Sequence, residues 1–140
     1  MNTKEAIGYL EKQVKNPKEG LPLELFLFLT KYTPMVNVDL LIKDEKGRTL
    51  LSWRNDEFHD AGWHVPGGII RFKEMMKDRL QKVAKTEIGI NIKFEDKPIA
   101  VNEIILKQEV RGHFISFLYR GKLPSDFVPE NKGLKETDAG

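Results

Sequence analysis

The sequence contains no cysteine. That excludes a disulfide framework, a thiolate metal site and a cysteine nucleophile, and it fits a reducing compartment. There is no block of like charge either. The 23 basic and 21 acidic residues are interspersed and leave a net charge of +2, so the electrostatic footprint of a nucleic-acid binder is missing. Long hydrophobic runs are also absent. The longest, Leu25 to Leu29, is far too short to span a bilayer, and no signal-peptide core follows Met1-Asn2-Thr3-Lys4-Glu5. These absences point to a cytoplasmic protein with neither a nucleic acid nor a membrane as partner. No internal repeat or low-complexity segment interrupts the chain.

What remains is ordinary for one globular domain: 140 residues, 40% hydrophobic and 31% charged, enough to bury a core without staples. Thr3 suits the cap of a helix running to about Lys15, with Ile7, Leu10 and Val14 at helical spacing and Pro17 and Gly20 ending it. Pro22 opens a second short helix to Lys31, with Leu25, Phe26, Leu29 and Tyr32 as its buried face. Met35 to Lys43 reads as a strand. Asp44-Glu45-Lys46-Gly47 reads as a turn, and Arg48 to Arg54 as the returning strand of a hairpin. Asn55 to Gly62 reads as a polar loop and Trp63 to Pro66 as a short extended piece. A helix follows over Glu74 to Ile88, stopped by Gly89. Ile90 to Phe94 is a strand, and Ala100 to Leu106 pairs antiparallel with His113 to Arg120. After Gly121 the chain reads as irregular. The order predicts an α/β (α+β) sandwich, a mixed sheet packed against helices.

Chemistry concentrates in Trp63-His64-Val65-Pro66-Gly67-Gly68 and the helix after it. Adjacent glycines let a backbone approach a ligand closely and adopt conformations other residues resist. A loop leading to a helix start can offer backbone groups to a metal or phosphate, although Pro-Gly-Gly by itself is more often a plain turn. On the helix, Met76, Leu80, Val83 and Ala84 form the expected buried stripe, and Glu87 falls on the same side. A carboxylate there is either paired or metal-bound, or it reaches past the helix end to water.

From Gly68 through Glu74 and Lys82 to Val83-Ala84-Lys85-Thr86-Glu87-Ile88-Gly89-Ile90, the segment resembles a Nudix box. Gly68, Glu74, Ala84, Glu87, Gly89 and Ile90 match in type. Lys82 stands for arginine, and Val83 and Thr86 replace two of the usual glutamates. The resemblance covers Met35 to about Arg120 and implies a Nudix-type α/β/α sandwich over residues 34–140 behind an N-terminal helical extension, residues 1–33. The GDP-mannose mannosyl hydrolase branch also lacks those glutamates. Its strand entry is similar to Thr33-Pro34-Met35-Val36-Asn37-Val38-Asp39, and its second hairpin strand ends in an arginine, as here at Arg54. Two positions depart from that branch: Ile69 stands where it carries arginine, with Arg71 two residues on, and Phe114 replaces a tyrosine.

The resemblance implies a hydrolase that attacks the anomeric carbon of a nucleoside-diphosphate sugar and releases the nucleoside diphosphate. Mg²⁺ (or Mn²⁺) would be held by Glu87 and the Gly67 carbonyl. Arg54 would neutralise the leaving diphosphate, with Asp39 and Arg71 contacting substrate. Glu74 would orient the loop or cap the helix, and Gly68, Lys82 and Gly89 complete the motif. The branch takes its general base from a histidine in a late loop. Here that loop, Pro129 to Gly140, has no histidine, which leaves Glu136 as late-loop ligand or base, while His113 lies in a strand and His59 and His64 flank the glycine loop, each with a structural and a catalytic reading. The family adds a strand and a helix after this loop, so the Nudix domain is expected to be incomplete at its C-terminus. The early helices are expected to cover a sheet edge or build a homodimer. Two other readings stay open: a Nudix pyrophosphohydrolase cleaving at phosphorus, and a non-catalytic binding module.

Overall fold

The computed structural model describes residues 1–130. Two helices lead the chain, α1 (Thr3–Gln13) and α2 (Leu23–Leu29). Asn2, not Thr3, caps α1: its Oδ1 accepts the Glu5 N–H (3.0 Å), and Glu5 Oε2 accepts the Asn2 N–H (2.9 Å). This reciprocal pairing satisfies two donors that Thr3 would leave open. The apolar positions of α1 are not buried within the described residues. On α2, Leu25 and Phe26 are half-buried, but Leu29 and Tyr32 are exposed. The helix ends at Leu29, so its face turns away before Tyr32.

The main sheet has five strands. β1 (Met35–Asp44) lies between β4 (Gly67–Ile69), antiparallel, and β7 (His113–Leu123), parallel. β5 (Lys93–Phe94) and β6 (Ala100–Ile105) both pair antiparallel with β7. β7 outruns the expected end at Arg120, because Leu123 inserts into the core and pairs with Asp44. β1 alternates as a strand with two different faces must. Val38, Leu40 and Ile42 are fully buried and pack with Tyr119 and Leu123 against Leu80, Val83 and Ala84 of the central helical segment. The odd positions, Asn37 and Asp39, face the other side.

The expected hairpin forms only at its turn. Asp44 Oδ1 accepts the Lys46 and Arg48 N–H groups (3.0 and 2.9 Å), and Gly47 takes the left-handed conformation, φ +78°. The return touches β1 at Leu50, whose N–H donates to the Ile42 carbonyl (2.9 Å). Beyond this the edge of β1 belongs to β4, so the chain diverges. β2 (Ser52–Asp56) pairs instead with β3 (His59–His64) as a separate hairpin. The segment 55–62, expected as a loop, is therefore the tip of that hairpin, which turns at residues 57 and 58.

Helix α3 spans Met76–Val83, two residues later than expected at its start, and passes into a single π-helical turn, Ala84–Ile88. Gly89 ends it in the left-handed conformation, φ +90°. Leu80, Val83 and Ala84 are buried as the periodicity requires. No helix among the described residues is long and apolar enough to cross a membrane.

Candidate active site

Opposite the core face of β1 lies an open pocket of about 980 Å³. Asp39, Arg54, Gly67, Gly68, Arg71 and Glu87 all line it. The sequence separates these residues widely. The antiparallel register Asp39↔Gly67 joins the first strand to the glycine strand, and the π turn carries Glu87 to the same opening.

The glycines act through proximity rather than unusual dihedrals, since neither Gly67 nor Gly68 is among the residues with positive φ. The expected special conformation is thus corrected. The Asp39 carboxylate fills the space a Gly67 side chain would need. At Gly68 a Cβ would stand 2.7 Å from Val83 Cγ2 and 3.2 Å from Arg79 Cδ, so glycine lets α3 lie directly on β4.

Asp39 accepts hydrogen bonds from the Ser116 hydroxyl and from Asn37 Nδ2 (3.1 Å). Desolvation is the largest influence on it and raises its pKa against the lowering by these donors and by Arg54. Glu87 remains open to solvent, yet protein surrounds its carboxyl closely enough that desolvation pushes its pKa up to about 7, with Arg54 lowering it and the Asp39 charge raising it. Both carboxyls therefore answer to the same guanidinium. Arg54 itself holds Asp56 through Nε (3.3 Å) and Nη2 (2.9 Å).

Glu74 stands behind the pocket. It accepts the Arg71 N–H (3.0 Å), Nε and Nη2 of Arg79 (2.8 and 2.9 Å) and Lys82 Nζ (2.9 Å). The carboxylate thereby ties the loop after β4 to α3, and the helix begins only at Met76 because Met75 before it is extended. Its pKa is lowered to about 2, the hydrogen-bond donors and positive charges outweighing desolvation, which is the largest influence.

The residues fit a hard divalent cation in kind. Glu87, Asp39 and a backbone carbonyl of Gly67 are all oxygen donors, and the repulsion between the two carboxylates is what a cation would relieve. Among the described residues no cluster of three or more metal-ligating acidic, histidine or cysteine side chains exists, so a cation here would take its other ligands from water and substrate. Glu136 lies outside the described residues.

Sequence reasoning left several pocket residues unassigned. His59 and His64 both line the pocket, their rings edge to face at 5.9 Å. His59 Nδ1 lies 3.0 Å from Asp56 Oδ1, which makes Nδ1 the protonated nitrogen when the ring is neutral and leaves Nε2 as acceptor. His113 stands apart from the pocket, beside Glu103 at 3.5 Å. Ser116 carried a signal, a polar residue inside an apolar strand. Arg111, from the β6–β7 connection, carried none.

No family model matches the chain. It is 28% identical over 118 residues to the low-salt glycan biosynthesis protein Agl8 of Haloferax volcanii, covering 81% of this chain and 75% of that one. Among solved structures, it resembles a MutT protein from Methanosarcina mazei, with a TM-score of 0.58, 22% identity and coverage of 71% and 72% of the two chains. It also resembles a possible asymmetric diadenosine tetraphosphate hydrolase from Jonesia denitrificans, with a TM-score of 0.55, 21% identity and coverage of 74% and 75%. A Nudix hydrolase from Nitrosomonas europaea aligns with a TM-score of 0.57 at 16% identity, over 70% of this chain and 64% of that one. The chain therefore has the Nudix fold, with Gly68 on its glycine strand and Glu74 and Glu87 before and after its central helix.

Proposed function

We propose that the protein is a divalent-metal-dependent hydrolase of a nucleoside-diphosphate sugar. The observation that carries this reading is the convergence of Glu87, Asp39, Arg54 and the Gly67 backbone on one pocket. A cation held by Glu87 and the Gly67 carbonyl would neutralise charge on the diphosphate oxygens. The loss of two box glutamates at Val83 and Thr86 suits attack at carbon, where the diphosphate is the leaving group and few metal ligands are needed. The glycan-biosynthesis name of the Haloferax relative accords with a sugar-bearing substrate.

Each residue has a task in this scheme. Arg54 offsets the negative charge that grows on the departing diphosphate. Asp39, fixed by Ser116 and Asn37, accepts a substrate hydroxyl, and Arg71 contacts the substrate at the pocket wall. His59, which lines the pocket, is the general base in this scheme. With Nδ1 held by Asp56, its Nε2 takes the proton of the attacking water. The water oxygen bonds to the anomeric carbon, the bond from that carbon to the diphosphate oxygen breaks, and free sugar and nucleoside diphosphate leave.

The test is turnover of GDP-mannose and related nucleotide sugars with Mg²⁺ or Mn²⁺, comparing wild type with Glu87→Gln and His59→Gln. Metal-dependent release of nucleoside diphosphate, reduced at least a hundredfold in both variants, is expected. Unchanged turnover in Glu87→Gln removes the metal site, and unchanged turnover in His59→Gln removes the base. If no nucleotide sugar or nucleoside diphosphate is hydrolysed, the fold serves as a binding module.

A further inference from the structure

Arg111 is a pocket residue for which this scheme has no use, and its surroundings are unusual for an arginine. It sits in the connection between β6 and β7 with φ +56°, a conformation that non-glycine residues adopt at a cost. Helix α2 holds it there. The Arg111 N–H donates to Thr30 Oγ1 (3.2 Å), and Thr30 is buried at the end of α2. The guanidinium carbon lies 4.7 Å from the ring centre of Phe58 on the β2–β3 turn and 5.8 Å from that of Phe26 on α2. Two aromatic neighbours thus pack around a planar cation.

One donor is left over. Arg111 Nε is buried with no hydrogen-bond partner, and none of the ion pairs among the described residues involves Arg111. A buried donor left unpaired is costly. Burial disfavours the Arg111 cation most, Arg54 on the same pocket adds to this, and Asp56 and Glu57 oppose it. A residue that served only to pin the loop to α2 would be better as a neutral side chain. Rigid placement beside a donor with no partner in the protein suits an arginine that turns its fork to an oxyanion.

We propose that Arg111 is a second anion-binding arginine of this pocket, donating to a diphosphate group of the substrate together with Arg54, and that the N-terminal helix α2 is the element that positions it. The inference rests on the nucleoside-diphosphate reading above and assigns the N-terminal extension a part in substrate binding. Aromatic neighbours pre-order the guanidinium, so little side-chain freedom remains to be lost when the anion arrives.

The experiment is calorimetric titration of the full chain with inorganic pyrophosphate in chelator, so that neither the metal nor any nucleotide sugar enters. Wild type is compared with Arg111→Met, which keeps the aliphatic stem, and Arg111→Lys, which keeps the charge but loses the fork. Binding by wild type, weakened roughly ten- to a hundredfold in Arg111→Met and less in Arg111→Lys, is expected from the loss of a charged donor. If Arg111→Met does not fold, modification of wild type by phenylglyoxal, mapped by mass spectrometry, gives the answer. Pyrophosphate should then protect Arg111. Equal affinity in both variants, or equal modification with and without pyrophosphate, overturns the inference and leaves the hydrolase reading standing. Wild type that binds no pyrophosphate also overturns it. The hydrolase reading falls only if nucleotide-sugar turnover is absent too.

Discussion

Replacing Glu74 by glutamine should destabilise the fold by an amount the structure allows to be worked out. The Glu74 side chain is 4% exposed, and Arg79, its closest ionic partner, is 12% exposed. Folding lowers the carboxyl pKa from 4.5 to about 2. At about 1.4 kcal/mol per pKa unit the native state favours the ionised form by about 3 kcal/mol. Lys82, which is 57% exposed, adds little because water screens it. With the exposed Lys82 contact discounted and the amide of the variant still able to accept part of these hydrogen bonds, a net loss of about 2 kcal/mol is the expected cost of Glu74→Gln at pH 7. The sign with pH follows from linkage. A carboxyl whose pKa falls on folding contributes fully above its unfolded value and loses that contribution as pH drops towards its folded value. Urea unfolding of both proteins should therefore show a gap in midpoint that is constant from pH 7 to about pH 5 and narrows below pH 4, with the slope unchanged. A gap smaller than about 0.5 kcal/mol at pH 7, or one that widens in acid, would refute the assignment of Glu74 as the clamp between loop and helix.

Three further outcomes follow from the same geometry. Mg²⁺ or Mn²⁺ binding, followed by calorimetry, should strengthen as pH rises through about 7, because the protein packed around the Glu87 carboxyl desolvates it and favours its protonated form below that value. Glu87→Gln should bind weakly with no such dependence, and a pH-dependent variant would sink the ligand assignment. Gly68→Ala should cost about 1–3 kcal/mol in unfolding experiments, since the new Cβ would meet Val83 Cγ2 at 2.7 Å. Adding Val83→Ala should remove most of that penalty, whereas additive losses would show that the close approach of α3 is not the cause. Leu40→Ala, at a fully buried position of β1, should cost about 2–5 kcal/mol. A loss under 1 kcal/mol would place the core elsewhere.

The segments read correctly from the sequence are those in which local pattern and tertiary demand coincide. The stripe Leu80, Val83 and Ala84 is apolar at helical spacing and buried for that reason. Gly47 and Gly89 mark turns that do require positive φ. The pocket residues carried over from the box were legible because their spacing repeats a family pattern. The errors arose where partners distant in sequence decide. Nothing local in 48–54 reveals that β4 already occupies the edge of β1, so the hairpin was paired with the wrong strand. The polar tip at 55–62 looks like a loop because both faces of a free two-stranded hairpin meet water. The cap at Asn2 rather than Thr3 was within reach of the sequence, since Asn2-Thr3-Lys4-Glu5 carries the spacing of a capping box. Arg111 becomes a pocket residue only through α2, some 80 positions earlier in the chain.

The most direct test of the central claim is hydrolysis of GDP-mannose with Mg²⁺ in ¹⁸O-labelled water. The account predicts label in the released sugar and unlabelled GDP as co-product. Label in a phosphate, with GMP released, would contradict attack at carbon and assign the pocket to cleavage at phosphorus.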